Sequence, residues 1–494
     1  MFKAQYETYR YTGEVARLNS QSIVECRLPA SEIGSILAVQ AKAFATDCSC
    51  ADGEVRYSGK LLLCIVYEDL ERRVCRAERG VEFFHKADGT AVTPACFAKT
   101  ALSVENVTYR REGSGLYVSV IVGADVSVYG GKQIEYLVGG EDLVVKKQPL
   151  EISRTLCVSG ETDGEDEFET DYVGDILLHG ETAVVTLCNA SAGQIDIEGE
   201  IHLNVCVLKS DETLSSYERI LPFTMQIPCE EAFGKVTASA RVCVKKATLT
   251  ASVDEGKDKS KIVFAYTLSA DCFLYGKEEL QGVCDAFSVR SKIELLEKKD
   301  GGRYLISQNR RVERVNGIVA LSPEVEGEYS LEAAVLPKAE AIIKKAENGF
   351  EAEGVITADV LLRTVDGGRR VCKLSLPFLF PVDIEGEEAE ADCLVCGLNL
   401  RKQKGGETDA EATLKVCLRG YEKTEWAYIG EVTEGEKREE SEAAVSIYLP
   451  RAGEDLWQVS KRLARDPDEL QKSNPELEFP VREGERIFVY RQIK

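Results

Sequence analysis

Along most of this chain apolar and polar residues alternate, the period-two pattern of a strand with one buried face. The pattern is clearest where Ile195, Ile197, Ile201, Leu203, Val205 and Val207 alternate with Asp196, Glu198, Glu200, His202 and Asn204 about Gly199. It recurs from Val55 to Leu63 about Gly59 and from Phe350 to Ala358 about Gly354. A glycine in mid-strand predicts a bulge or a close backbone approach. Twenty-four residues beyond each glycine stands a phenylalanine: Phe83, Phe223 and Phe378. The last two end identical triplets, Leu221-Pro222-Phe223 and Leu376-Pro377-Phe378, read as turns, where the first copy has Val81-Glu82-Phe83. Upstream, Ile33-Gly34-Ser35-Ile36-Leu37 corresponds to Val173-Gly174-Asp175-Ile176-Leu177, whereas the third copy has Leu331 to Leu336.

The glycines lie 140 and 155 residues apart, the interval of a domain rather than of a solenoid unit. The expectation is a mainly β protein of three tandem antiparallel, sandwich-like modules, at 1–138, 139–282 and 283–428. The run Glu431 to Glu440 is almost devoid of apolar residues, so 429–444 reads as a charged, solvated linker. The acidic Gly160 to Thr170 reads as a loop, and Gly301-Gly302 as a hairpin turn.

The period changes to helical only in the last stretch, 445–494. The stretch from Val445 opens with a short alternating run that suits a strand, and Leu456, Val459 and Leu463 recur at helical spacing, with Lys461, Arg462 and Arg465 on the other side. Asp466-Pro467 is an N-cap and first position for a second helix to Ser473, which Asn474-Pro475 stops. Arg486 to Tyr490 closes as a strand. The order is strand, helix, helix, strand, with an expected core of Ile447, Leu456, Trp457, Val459, Leu463, Leu470, Leu477, Ile487 and Val489.

Four ordered pieces of this tail resemble the LysM domain: Gly453-Glu454-Asp455-Leu456-Trp457, Pro467-Asp468-Glu469-Leu470, Asn474-Pro475-Glu476-Leu477 and Gly484-Glu485-Arg486-Ile487. The resemblance implies a shallow groove on Gly453, Glu454, Asp455 and Leu456, and on Asn474, Pro475, Glu476 and Leu477. In the family this surface takes N-acetylated glycans or, in some members, another protein. Three glycine-centred modules followed by such a tail resemble the SipL family of spore-coat morphogenetic proteins, whose repeated module is called SPOCS. That resemblance implies a mother-cell cytoplasmic protein at the forespore surface, gripping the coat-basement ATPase SpoIVA and other coat proteins. The alternative it leaves open is a peptidoglycan-binding protein of the spore envelope. The charged helix face Lys461, Arg462 and Arg465 is the expected partner contact, and Trp457→Ala is expected to unfold the tail.

Charge narrows the partners. The chain is 494 residues with a net charge of −23. The last fifty residues carry nine Lys/Arg and nine Asp/Glu, so the surplus acid lies wholly before them. A polyanionic body repels nucleic acid and anionic lipid. Seventeen cysteines, an odd number scattered through strand-like runs such as Leu63-Cys64-Ile65, point to free thiols and a reducing compartment. The opening residues have no apolar leader core and no run approaches a membrane span. Three separated histidines, His85, His179 and His202, suggest no catalytic residue, His202 being assigned to the solvated strand face. Cys393-x-x-Cys396 has no second pair and no nearby His, so neither a metal nor a cofactor is expected. No phosphate-cradling glycine loop is present.

Overall fold

The chain is mainly β, and among the described residues every strand pairing is antiparallel. We describe residues 3–171, 174–253, 259–319, 321, 328–347, 349–403, 407–438 and 443–490 of a computed structural model. The first stretch gives β1 (Lys3–Pro29), β2 (Ile33–Ala51), β3 (Glu54–Asp69), β4 (Val74–Asp88), β5 (Phe97–Glu112) and β6 (Gly115–Glu141). Strands β2, β3 and β4 form a meander, and β6 returns between β1 and β5 as a second sheet. The next stretch holds β7 (Leu143–Asp171), β8 (Asp175–Ser191), β9 (Gln194–Leu208), β10 (Leu214–Pro228), β11 (Val236–Val253) and β12 (Lys259–Ser288). The third holds β13 (Ser291–Val319), β14 (Tyr329–Ala346), β15 (Gly349–Thr364), β16 (Arg369–Val382), β17 (Glu388–Lys402) and β18 (Thr408–Lys437). Their sheets have the orders β8-β9-β10 with β7-β12-β11, and β14-β15-β16 with β13-β18-β17.

Alternation sets the packing. In each stretch the inward positions of both sheets share one core, as with Val55, Leu61, Ile65, Val118, Val120 and Val122 in the first and Ile195, Ile197, Ile201, Phe264 and Leu268 in the second. The glycine and the phenylalanine twenty-four residues on are cross-strand partners: Gly59↔Phe83, Gly199↔Phe223 and Gly354↔Phe378. In all three pairs the ring lies over the glycine, where a Cβ would overlap it. The reason for glycine is therefore close approach, which serves the aromatic ring rather than the backbone alone. Bulges fall in the neighbouring strand, between Ala45 and Asp47 and between Val185 and Leu187.

Two strands of each second sheet are much longer than the usual five or six residues; β1 and β6 have 27 each. Their far halves reach past the shared core as two-stranded ribbons and pack on those of the other stretches. Tyr11, Ile134, Ile152 and Trp426 meet in one such junction, and Leu137, Val283, Ala286 and Ile429 in another. A further apolar junction joins Leu37, Val66, Leu178, Cys206, Val335 and Leu361 from all three stretches. Near it Arg369, its side chain 4% exposed, ion-pairs with Glu332 at 2.9 Å and Glu68 at 3.2 Å and donates to the Glu212 carbonyl.

Several local expectations are corrected. Gly160 to Thr170 is strand, part of β7, because its acids face solvent in alternation and meet cations across the sheet, as in Lys245–Glu161 at 2.6 Å and Lys261–Glu167 at 2.5 Å. Gly301-Gly302 lies inside β13, paired with Glu425 and Thr424; small residues there let Ser153 of β7 and the Trp426 ring come close. The Leu-Pro-Phe triplets lie in the edge strands β10 and β16, where proline's missing N–H costs no ladder bond. Residues 429–437, assigned to the linker, continue β18 with Ile429 buried against β6 and β12. Of the remainder, 439–442 lie outside the described residues, as does Val173. His202 is buried, 8% exposed, because the third stretch covers that face of β9 and Lys415 shares Glu200 with it.

The tail forms β19 (Val445–Tyr448), α1 (Leu456–Leu463), α2 (Pro467–Ser473) and β20 (Ile487–Tyr490), with β19 paired to β20. No helix among the described residues is long and apolar enough to cross a membrane.

Candidate partner-docking site

The tail is small, and most of its motif residues hold it together. Asp455 caps α1 by accepting from the Gln458 N–H at 2.7 Å, while the Gln458 side chain accepts from the Asp455 N–H at 3.0 Å, a reciprocal capping box. Asp466 caps α2 by accepting from the N–H groups of Asp468 and Glu469. Val459, Leu470, Val481 and Ile487 form the core, with Leu456, Leu463, Leu477 and Val489 packed around it.

The expected groove residues divide by role. Asn474 is buried and stitches α2 to β20: its amide donates to the carbonyls of Leu470 at 3.0 Å and Phe488 at 2.9 Å, and it accepts from the Phe488 N–H at 2.8 Å. Glu454 is buried too, accepting from the Arg451 N–H at 3.0 Å and pairing with Arg462 at 2.7 Å. Leu456 and Leu477 enter the same core, so both halves of the expected groove belong to one packed unit. Gly453, at φ +89°, and Pro475 and Glu476 remain exposed.

The expected helix face is also largely engaged. Lys461 pairs with Asp285 of β12 at 2.6 Å, and Arg462 donates to the Tyr448 hydroxyl at 2.7 Å as well as to Glu454. Arg465 is half-buried near the end of α1. Trp457 is not a core residue: its ring rests on Phe287, centroids 5.2 Å apart, and its Nε1 donates to Asp285 at 2.9 Å. Burial pushes the Asp285 carboxyl up, but hydrogen bonds from Lys461 and Trp457 outweigh it and hold the group below the usual carboxylate range.

One surface escaped the sequence reading. Antiparallel partners share a face, so the register Val445↔Tyr490 and Ile447↔Phe488 sets four apolar side chains together on the outside of the small sheet. They are 47%, 52%, 54% and 41% exposed, with Leu449 beside them at 67%. Ile447 was expected in the core, but Tyr448 and Ile487 form the inward pair. Both strands carry apolar residues at odd and even positions, so alternation alone could not choose the face. The strand pairing decides it.

Elsewhere, the histidines are placed apart. His85 lies edge-on to Tyr57, His179 bonds Glu181 at 3.0 Å beside Lys42, and His202 bonds Glu200 at 3.3 Å. All seventeen cysteines are free thiols. Burial pushes the Cys393 thiol up to about 12, which keeps it protonated and poorly nucleophilic at neutral pH. Among the described residues no group of three or more His, Cys, Asp or Glu is placed to hold a metal ion. An open cleft of about 930 Å³ in the second stretch is lined by Glu161, Asn189, Asp196, Glu198 and Gln226.

No family model matches this chain, and neither a curated protein nor a solved structure does.

Proposed function

We propose that the chain is a non-enzymatic adaptor: three β-sandwich modules acting as a scaffold, and a LysM-like tail that selects a protein partner. Within that class it reads as a SipL-like protein of endospore coat assembly, working at the forespore surface from the mother-cell cytoplasm. Its partner would be the coat-basement ATPase SpoIVA. The observation that carries the reading is the outward apolar face of Val445, Ile447, Leu449, Phe488 and Tyr490, more than two-fifths exposed at every position. A contiguous exposed apolar face marks a protein contact. A glycan site, by contrast, needs free polar groups, and Asn474 and Glu454 spend theirs inside the fold. The three-stretch body supports the scaffold role through cross-stretch anchors such as Arg369.

The test is a pull-down of the ATPase by the full chain and by Ile447→Arg, with sedimentation on purified sacculi alongside. The adaptor reading expects the parent to capture the ATPase, Ile447→Arg to lose at least about tenfold in affinity, as hot-spot residues do, and both to stay in the supernatant. Cosedimentation of the parent without capture of the ATPase would establish the peptidoglycan reading instead.

A further inference from the structure

The helix face expected to meet a partner is already seated on the chain's own body. Trp457 and Lys461 stand one turn apart on α1, and both hold Asp285. The indole Nε1 donates to one carboxylate oxygen at 2.9 Å, and Nζ of Lys461 pairs with the other at 2.6 Å. The indole ring also leans on Phe287 at an interplanar angle of 59°. Phe287 is 1% exposed, packed within the body, and Asp285 lies where β12 bulges against β7. The seat is thus part of a fixed wall, while everything it holds belongs to the tail.

We propose that Asp285 and Phe287 form a latch, which closes the Trp457–Lys461 face of α1, a second surface of the tail beside the open β19–β20 face, against the body and withholds it from a partner until the latch opens. This gating rests on the reading of the tail as the partner-binding part; the latch itself does not. The contact has the character of a releasable one. Its ion pair is partly exposed, Lys461 at 45% and Asp285 at 28%, and such pairs are weak. It is nonetheless favoured by proximity: Arg438 is fixed beside the seat through the carbonyls of Ser288 and Ser291, and β19 begins only seven residues later in sequence, so the tail stays at high local concentration. A partner that adds the Trp457 face to its contact with the open sheet face gains that part only in the open fraction, so its apparent affinity is lowered while the latch is closed.

The experiment uses the full chain carrying Trp426→Phe, which leaves Trp457 as its single tryptophan, with and without Asp285→Lys. Acrylamide quenching of Trp457 reports the latch, and the dissociation constant for the coat ATPase reports the gate. Thermal melting confirms that both chains are folded. The expected result is a quenching constant raised about twofold or more by Asp285→Lys, with partner affinity raised roughly three- to tenfold, while Asp285→Glu stays near the parent. Unchanged quenching in the folded Asp285→Lys chain would overturn the latch. Raised quenching with unchanged or weaker partner affinity would overturn the gate and leave the latch standing. Failure of the ATPase to bind either chain would overturn the reading of the tail, and the gate with it, while the quenching still decides the latch.

Discussion

Two seats in this molecule are built on the same motif, a carboxylate held by a cation from another part of the chain, and they are tuned in opposite directions. At the junction of the three stretches, Arg369 holds Glu68 and Glu332 with side chains 4%, 8% and 6% exposed. At the seat of the tail, Lys461 holds Asp285 with the cation nearly half exposed. The first pair is locked because its members, once separated, would stay buried and unpaired. The second opens at little cost because both charges return readily to water. Depth, rather than chemistry, separates a bolt from a latch.

The largest effect expected from this contrast comes from removing the bolt. Arg369→Met leaves Glu68 buried without its cation and Glu332 with Arg363 at 3.7 Å alone, and should cost about 3–5 kcal/mol, seen as a lower urea midpoint. Adding Glu68→Gln and Glu332→Gln should return part of that loss. Within one stretch, Gly199→Ala sets a Cβ into the Phe223 ring and the Val184 carbonyl. Overpacking of this kind should cost about 2 kcal/mol, and the added Phe223→Leu should recover some of it.

Glu390 offers a gradation between bolt and latch. It meets Arg303 at 2.8 Å, Arg17 at 2.9 Å and Arg241 at 3.4 Å, one guanidinium from each stretch, with its own side chain 22% exposed. Burial pushes its carboxyl up, but Arg303, Arg241 and Arg17 outweigh that and hold it well below the usual carboxylate range. A group depressed in the folded state stabilises fully above its unfolded value, near 4.3, and loses that contribution as pH falls toward the folded one. Glu390→Gln should therefore cost about 1–2 kcal/mol at pH 7, and the gap from the parent should shrink as unfolding is followed toward pH 3. A gap that widens in acid would reverse the assignment.

The smallest effect belongs to the latch. Trp457→Ala removes a contact with the body and none of the four buried core residues of the tail. It should change overall stability by under about 1 kcal/mol and leave α1 helical by circular dichroism. The sequence reading expected unfolding, and a loss of the tail's fold would restore it.

How much could be read in advance follows from what each signal reports. Alternation reports burial, so strands with one wet face were visible throughout. The equal spacing of Gly59–Phe83, Gly199–Phe223 and Gly354–Phe378 was visible as well, because each pair spans a hairpin of one length, with turns about Glu71, Asp211 and Asp366. What stayed hidden depends on neighbours distant in sequence. The acidic run in β7 looks like a loop until Lys245 and Lys261 are set across from it. Gly301-Gly302 looks like a turn until Ser153 approaches from another stretch. In the tail, caps and core were legible because both are local. The outward set of Ile447 and the reach of Trp457 to Phe287 were not, since one depends on register and the other on a partner strand about 170 residues away.

The central claim is that the body scaffolds and the tail selects. It is tested most directly by the dissociation constant of the coat ATPase for three chains: the full length, the Ile447→Arg full length, and residues 1–440. The account predicts that the full chain binds, that Ile447→Arg binds at least about tenfold more weakly, and that 1–440 does not bind measurably. Equal binding by all three would place recognition in the body and contradict it.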